Sequence, residues 1–165
     1  IVAVLERSER LGGGAVSIDP ISRGAVMRAL LTNSFDGSAI DVVGLRALAS
    51  VAARATGFVL RYSEASRAVE VLRDHPVSPP SNVEVIGPST RHDADPAVAG
   101  VVVVAFDDSV VLYRLGADRI IEFDAAARSW CVKLVTAGAP PGNTPAEVLA
   151  LLNDGPSPRE SDRAE

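Results

Sequence analysis

The stretch GVVVVAFDDSVVLYRLGADRIIEFDAAARSWCVKLV, from Gly100 to Val135, decides the fold. Four apolar runs are separated by short polar breaks: Asp107-Asp108, Gly116-Ala117-Asp118, and AAAR at 125–128. Connections this short join only antiparallel neighbours. The stretch therefore predicts a four-stranded meander with strands over 99–106, 109–115, 119–124 and 129–136. The run Val101–Val104 does not alternate, which predicts a strand covered on both faces. In the last run Trp130, Val132 and Leu134 alternate with Cys131, Lys133 and Val135, the period of a strand with one apolar and one mixed face.

Upstream, Asp19-Pro20 predicts a helix start, with Asp19 as cap, Pro20 at the first position and an end near Leu31. SAIDVVGLRALASVAARATG, from Ser38 to Gly57, predicts a second helix. Ser38 and Asp41 resemble a capping box, Gly57 is the stop, and Ile40, Val43, Leu48, Val51 and Ala55 form its apolar stripe. FVLRY at 58–62 and RAVEVLRD at 67–74 predict a hairpin, and VEVIG at 83–87 another short strand. Two long loops, 75–82 and 88–98, intervene. Downstream, Thr144-Pro145-Ala146-Glu147 opens a helix that runs to about Asn153. Helices first, then six or seven mostly antiparallel strands, then a short closing helix make an α+β fold. Residues 1–153 read as one domain, with 154–165 as a flexible polar tail.

Composition narrows the function classes. The chain has 165 residues, 47% of them apolar, which is enough for a real core. A net charge of −5 supplies no basic field for nucleic acid or an anionic membrane surface. No apolar run reaches the ~20 residues of a membrane-spanning helix, and the opening IVAVL is too short for a signal-peptide core. Lys133 is the one lysine among 16 basic residues, an arginine bias that points to a GC-rich, actinobacterium-like genome. Cys131 is the single cysteine, so no intrachain disulfide forms. A reducing cytoplasm fits this usage.

The chemically suggestive residues each have a plainer reading. Asp107 and Asp108 could be a carboxylate pair, but neighbours in a two-residue turn point apart and Asp is a preferred turn residue. They read as scaffold. RHDAD at 91–95 is the densest polar cluster. Its His92, Asp93 and Asp95 lack a second histidine at ligand spacing, so the expectation is a solvated loop and no metal. His75, before a proline, also reads as a loop residue. Gly12–Gly14 lacks the following helix and the lysine of a phosphate loop and reads as a joint. Cys131 is expected to be a buried, inert thiol, and Arg46, Ser50 and Arg54 the wet face of the second helix. Tyr113 and Trp130 are expected to be core anchors or to line a pocket between sheet and helices. The candidate ligand contacts are Tyr62, His92, Arg114 and Trp130. No catalytic residue and no cofactor is assigned.

Residues 44–74, GLRALASVAARATGFVLRYSEASRAVEVLRD, resemble the opening of a GAF-type sensory domain, in the version found in bacterial PucR-like or CdaR-like regulators. In that pattern a helix ends in a small residue and glycine, and a strand, a polar turn and a second strand follow. The resemblance implies a ligand- or partner-sensing module without catalysis. The leading expectation is a non-enzymatic regulatory domain that binds a small ligand or a protein partner, with homodimers as one form. Two alternatives stand beside it: a small enzyme assembled around His92, Asp93, Asp95 and Arg114, and an accessory protein of assembly or secretion.

Overall fold

The structure is a computed structural model and describes residues 1–7, 15–33, 40–89, 92–116 and 119–153. The expected glycine joint at 12–14, the Ser38 cap and the tail at 154–165 lie outside these residues. The order is β1 (Val2–Arg7), β2 (Val16–Pro20), α1 (Arg23–Thr32), α2 (Val42–Arg54), β3 (Gly57–Tyr62), α3 (Ala65–Asp74), β4 (Val83–Ile86), α4 (Pro96–Ala99), β5 (Val101–Phe106), β6 (Ser109–Arg114), β7 (Ile120–Asp124), a 3-10 turn (Ala125–Ala127), α5 (Arg128–Ala137) and α6 (Ala146–Asn153). The α+β class holds, with the strands divided between two sheets. One is three-stranded, in the order β1-β3-β2, and the other is four-stranded, in the order β4-β5-β6-β7.

The four-stranded sheet is an antiparallel meander, displaced by one element from the expected one. Its first strand is β4, and residues 129–136 belong to α5. Cys131, Leu134 and Val135 are buried at i, i+3 and i+4, a helical period that the strand-like alternation of the same residues concealed. Gly138 closes α5 in the left-handed conformation at φ 72°. Both faces of the meander are covered, as the unbroken valines predicted, and every residue of β5 is buried. Val102, Val104, Phe106, Val111 and Tyr113 face α1 and α2. Val101, Val103, Ala105, Val110 and Leu112 face α5 and α6.

The three-stranded sheet packs on the other side of α1. Here the expected hairpin is corrected: residues 65–74 form α3, whose Ala68 and Leu72 cover Phe58, Leu60, Val16 and Ile18. The layers are thus α3, the small sheet, α1 with α2, the meander, and α5 with α6. Helix α1 starts at Arg23 rather than after Asp19, because Pro20 ends β2 and Ser22 supplies the cap, its Oγ accepting from the Ala25 N–H at 3.0 Å. Asp41, not Ser38, caps α2, its Oδ1 accepting from the Gly44 N–H at 2.8 Å. The buried face of α2 is Leu45, Ala49, Ala52 and Ala53. Of the stripe read from the sequence, Ala55 is buried and Ile40 and Leu48 pack at the core's margin, whereas Val43 and Val51 point outward, 70% and 52% exposed. The alanines let α2 lie close to its neighbours, a narrower contact than larger side chains allow.

Candidate functional site

The polar residues of the opening stretch are committed to holding the layers together. In the β5–β6 turn, Asp108 turns toward α1, and its carboxylate accepts from the Arg23 N–H at 3.1 and 3.3 Å. Ser109 Oγ accepts from the Gly24 N–H at 2.8 Å and donates to Asp108 Oδ1 at 2.7 Å. Helix N-terminal N–H groups carry partial positive charge and lack intrahelical partners, so an adjacent carboxylate seats the helix. Ser22 Oγ donates to Glu122 on β7, which also lies 3.9 Å from Arg28. Asp107 turns the other way. It accepts from the Asn82 N–H at 2.8 Å, from Asn82 Nδ2 and from Ser81 Oγ. These bonds, led by that backbone N–H, hold its carboxyl below the ordinary aspartate value. The pair is scaffold, as expected: both residues are exposed, and their carboxylates bond groups of two different layers.

Residues 75–82 form a strap fastened at several points. His75 meets the Phe58 ring edge-on with centroids 4.7 Å apart, and Thr56 Oγ1 accepts from the Ser78 N–H at 2.7 Å. The Arg23 side chain, in a residue only 7% exposed, donates to the Pro79 carbonyl at 2.7 Å, and the Ser81 N–H donates to the Ala53 carbonyl at 2.8 Å.

The four candidate ligand contacts fall on separate parts of the molecule. Tyr62 ends β3 and packs with the apolar cluster under α3. His92 is exposed in the loop before α4. Arg114 ends β6 and donates to the carbonyls of Leu151 and Leu152, where a cation complements the C-terminal end of α6. Trp130, on α5, packs against Phe123 with centroids 6.4 Å apart. Of the residues grouped with His92, Asp95 caps α4, accepting from the Ala97 N–H at 2.8 Å. Among the described residues no group of three His, Cys, Asp or Glu side chains could hold a metal ion. Cys131 is buried, and that burial pushes its thiol up to about 12, far from a nucleophilic thiolate at neutral pH. Arg46 and Arg54 are exposed on the outer face of α2, as read.

The sequence reading missed an open apolar groove of about 690 Å³ lined by Val2, Ala3, Val4 and Leu5 of β1, Ala29, Leu30 and Asn33 of α1, and Leu48 of α2. Successive side chains of a strand point to opposite faces. A groove that touches four consecutive residues must therefore wrap the strand's edge. That edge is open: β1 pairs with β3 alone among the described strands. The Val2 N–H donates to the Thr56 carbonyl at 2.8 Å, so Val2, Val4 and Glu6 turn their backbone groups inward. By alternation Ala3, Leu5 and Arg7 turn theirs outward. Leu5 is 58% exposed. The signal for this site in the sequence was the apolar opening VAVL itself, which carries no clue to its pairing.

No helix among the described residues is long and apolar enough to cross a membrane. Compared with protein-family models, with curated proteins and with solved structures, the chain matches none.

Proposed function

We propose that this chain is a non-enzymatic regulatory module of the cytoplasm that binds another polypeptide along the outer edge of β1. One observation carries the reading: the groove is built around a strand edge with which no other described strand pairs, rather than enclosed between layers. Small-molecule sites bury most of their ligand in a concavity with a few convergent polar groups. This groove is open, and among the described residues only Asn33 brings a polar side chain to its lining. Strand addition suits it, because main-chain hydrogen bonds supply affinity and alternate side chains fill the apolar trough.

The test is selection of a displayed library of random peptides on the purified chain. Enrichment of peptides with alternating apolar residues is expected, with affinity falling roughly tenfold or more on Leu48→Gln, the loss of one apolar contact in the groove. Failure to enrich any peptide, or binding indifferent to Leu48→Gln in a folded variant, overturns the proposal.

A further inference from the structure

The strap at 75–82 is fastened in threes. His75 leaves α3 at φ −71° and ψ 127°, in the polyproline II region. Pro76, Pro79 and Pro80 each lock φ at about −65°. His75, Ser78 and Pro79 each precede a proline and are restricted to the same extended region. A chain so constrained winds as a left-handed helix with about three residues per turn. The fastenings follow that period. His75 meets the Phe58 ring, the Ser78 N–H donates to Thr56 Oγ1, and the Ser81 N–H donates to the Ala53 carbonyl. Positions 75, 78 and 81 thus form the edge seated on the body. Two edges are left outward, Pro76 with Pro79 and Val77 with Pro80, and all four residues are exposed. Val77, at 71%, is more exposed than any other large apolar side chain among the described residues. In a planar trans peptide the C=O points opposite to the N–H. The inward N–H groups of Ser78 and Ser81 therefore turn the carbonyls of Val77 and Pro80 outward.

We infer that this strap is a docking segment, read in place by a partner protein through a groove lined with tryptophan and tyrosine. The exposed surface selects that chemistry. Pro76, Pro79 and Pro80 offer no N–H, so a strand cannot add along the strap. What remains is a row of apolar side chains with outward carbonyls between them. Aromatic faces suit the proline rings and Val77, and the indole N–H and phenol O–H supply the donors that the carbonyls of Val77 and Pro80 accept. Aromatic-lined grooves are the usual readers of polyproline II segments, whose spacing of proline at every third position is present at Pro76 and Pro79. The fastenings add to the fit. A free segment loses conformational freedom when it is bound, whereas this one is already held by Phe58, Thr56 and Ala53 on one edge and by Arg23 at the Pro79 carbonyl. The strap shares no residue with the groove at β1, and the inference stands apart from the strand-addition reading.

The test titrates a panel of isolated WW domains, small modules that read proline-rich segments in an aromatic-lined groove, into the isotope-labelled full chain, followed by NMR. Binding is expected from the panel, with shifts concentrated at the amides of Val77, Ser78, Ser81 and Asn82. The two variants are Pro79→Ala, which keeps the carbonyl that Arg23 holds, and Val77→Asp, which changes only an exposed side chain. Unchanged amide spectra of β5 and β6 show that each variant is folded. Both are expected to raise the dissociation constant roughly tenfold or more. Failure of every member of the panel to bind overturns the inference. So does binding that both variants leave unchanged. Shifts centred on β1 instead of the strap overturn it as well, and assign the binding to the strand edge.

Discussion

Asp107 and Asp108 are chemically identical neighbours with different tasks. Asp108 caps a helix from another layer, and Asp107 holds the strap at Ser81 and Asn82. The turn chemistry of the pair was legible in the sequence. Their partners were not, because both lie many residues away and are set by how the layers stack. Asp107 yields a pH prediction. Its folded carboxyl is held below the ordinary value, chiefly by the Asn82 N–H. A depressed folded value contributes stability that is full above the unfolded value and lost as pH falls through the folded one. Asp107→Asn should therefore flatten the acid limb of stability against pH, below roughly pH 4, measured by urea unfolding. Equal acid limbs in both proteins would contradict this. Gly57 gives a steric prediction. A Cβ there would stand 2.1 Å from Val26 Cγ2 and 2.9 Å from Ile21 Cγ1. Val26 is fully buried and cannot swing away. Gly57→Ala should destabilise the fold by about 3 kcal/mol, at the upper end of overpacking effects. A change in urea midpoint near zero would show that α1 can retreat from β3. The sequence marked Gly57 as a helix stop, whereas its structural role is the close approach of α1.

Two elements, α3 and α5, contradict their reading as strands, and the reason is shared. RAVEVLRD and RSWCVKLVTA carry apolar residues, Val69 and Val71 in one and Trp130, Val132 and Leu134 in the other, whose alternation matches a strand over a few residues, and their helical faces are narrow. Over so short a window the two periods are indistinguishable until a neighbouring surface selects one. The sheet β1-β3-β2 selects helix for α3, because β1 and β2 already occupy both sides of β3 and leave no edge for a hairpin partner. The strap that follows α3 is more than a connector. Thr56, only 3% exposed, accepts from the Ser78 N–H. Thr56→Val keeps the side chain's shape and leaves that N–H without its partner, which costs about 1–3 kcal/mol. Urea unfolding should register the loss, and amide exchange should quicken at Ser78 and Ser81 before it does so in β5. Protection unchanged at Ser78 would mean that the strap is held by its other fastenings alone.

At the scale of the molecule, α1 and α2 are shared between two sheets, and this sharing positions the groove. Val2 of β1 packs at the margin of the same core that Val26, Leu45 and Phe106 fill. The β5-β6-β7 part of the meander was legible because its turns are short and local, whereas the pairing of β4 spans residues 87–100 and was not. The small sheet was not, because the parallel β1–β3 pair joins strands separated by β2, α1 and α2, and no local pattern encodes such a pairing. Nor was the groove, which exists only once β1 lies at the edge beside two helices. The most direct test of that edge is backbone amide exchange in β1 followed by NMR, with and without a peptide selected on the chain. In the free chain Val4 should be protected by β3, while Ala3 and Leu5 exchange freely. With peptide bound, protection at Ala3 and Leu5 should climb toward that of Val4. Ala3 and Leu5 that remain fast with peptide bound, beside a protected Val4, would contradict strand addition at this edge.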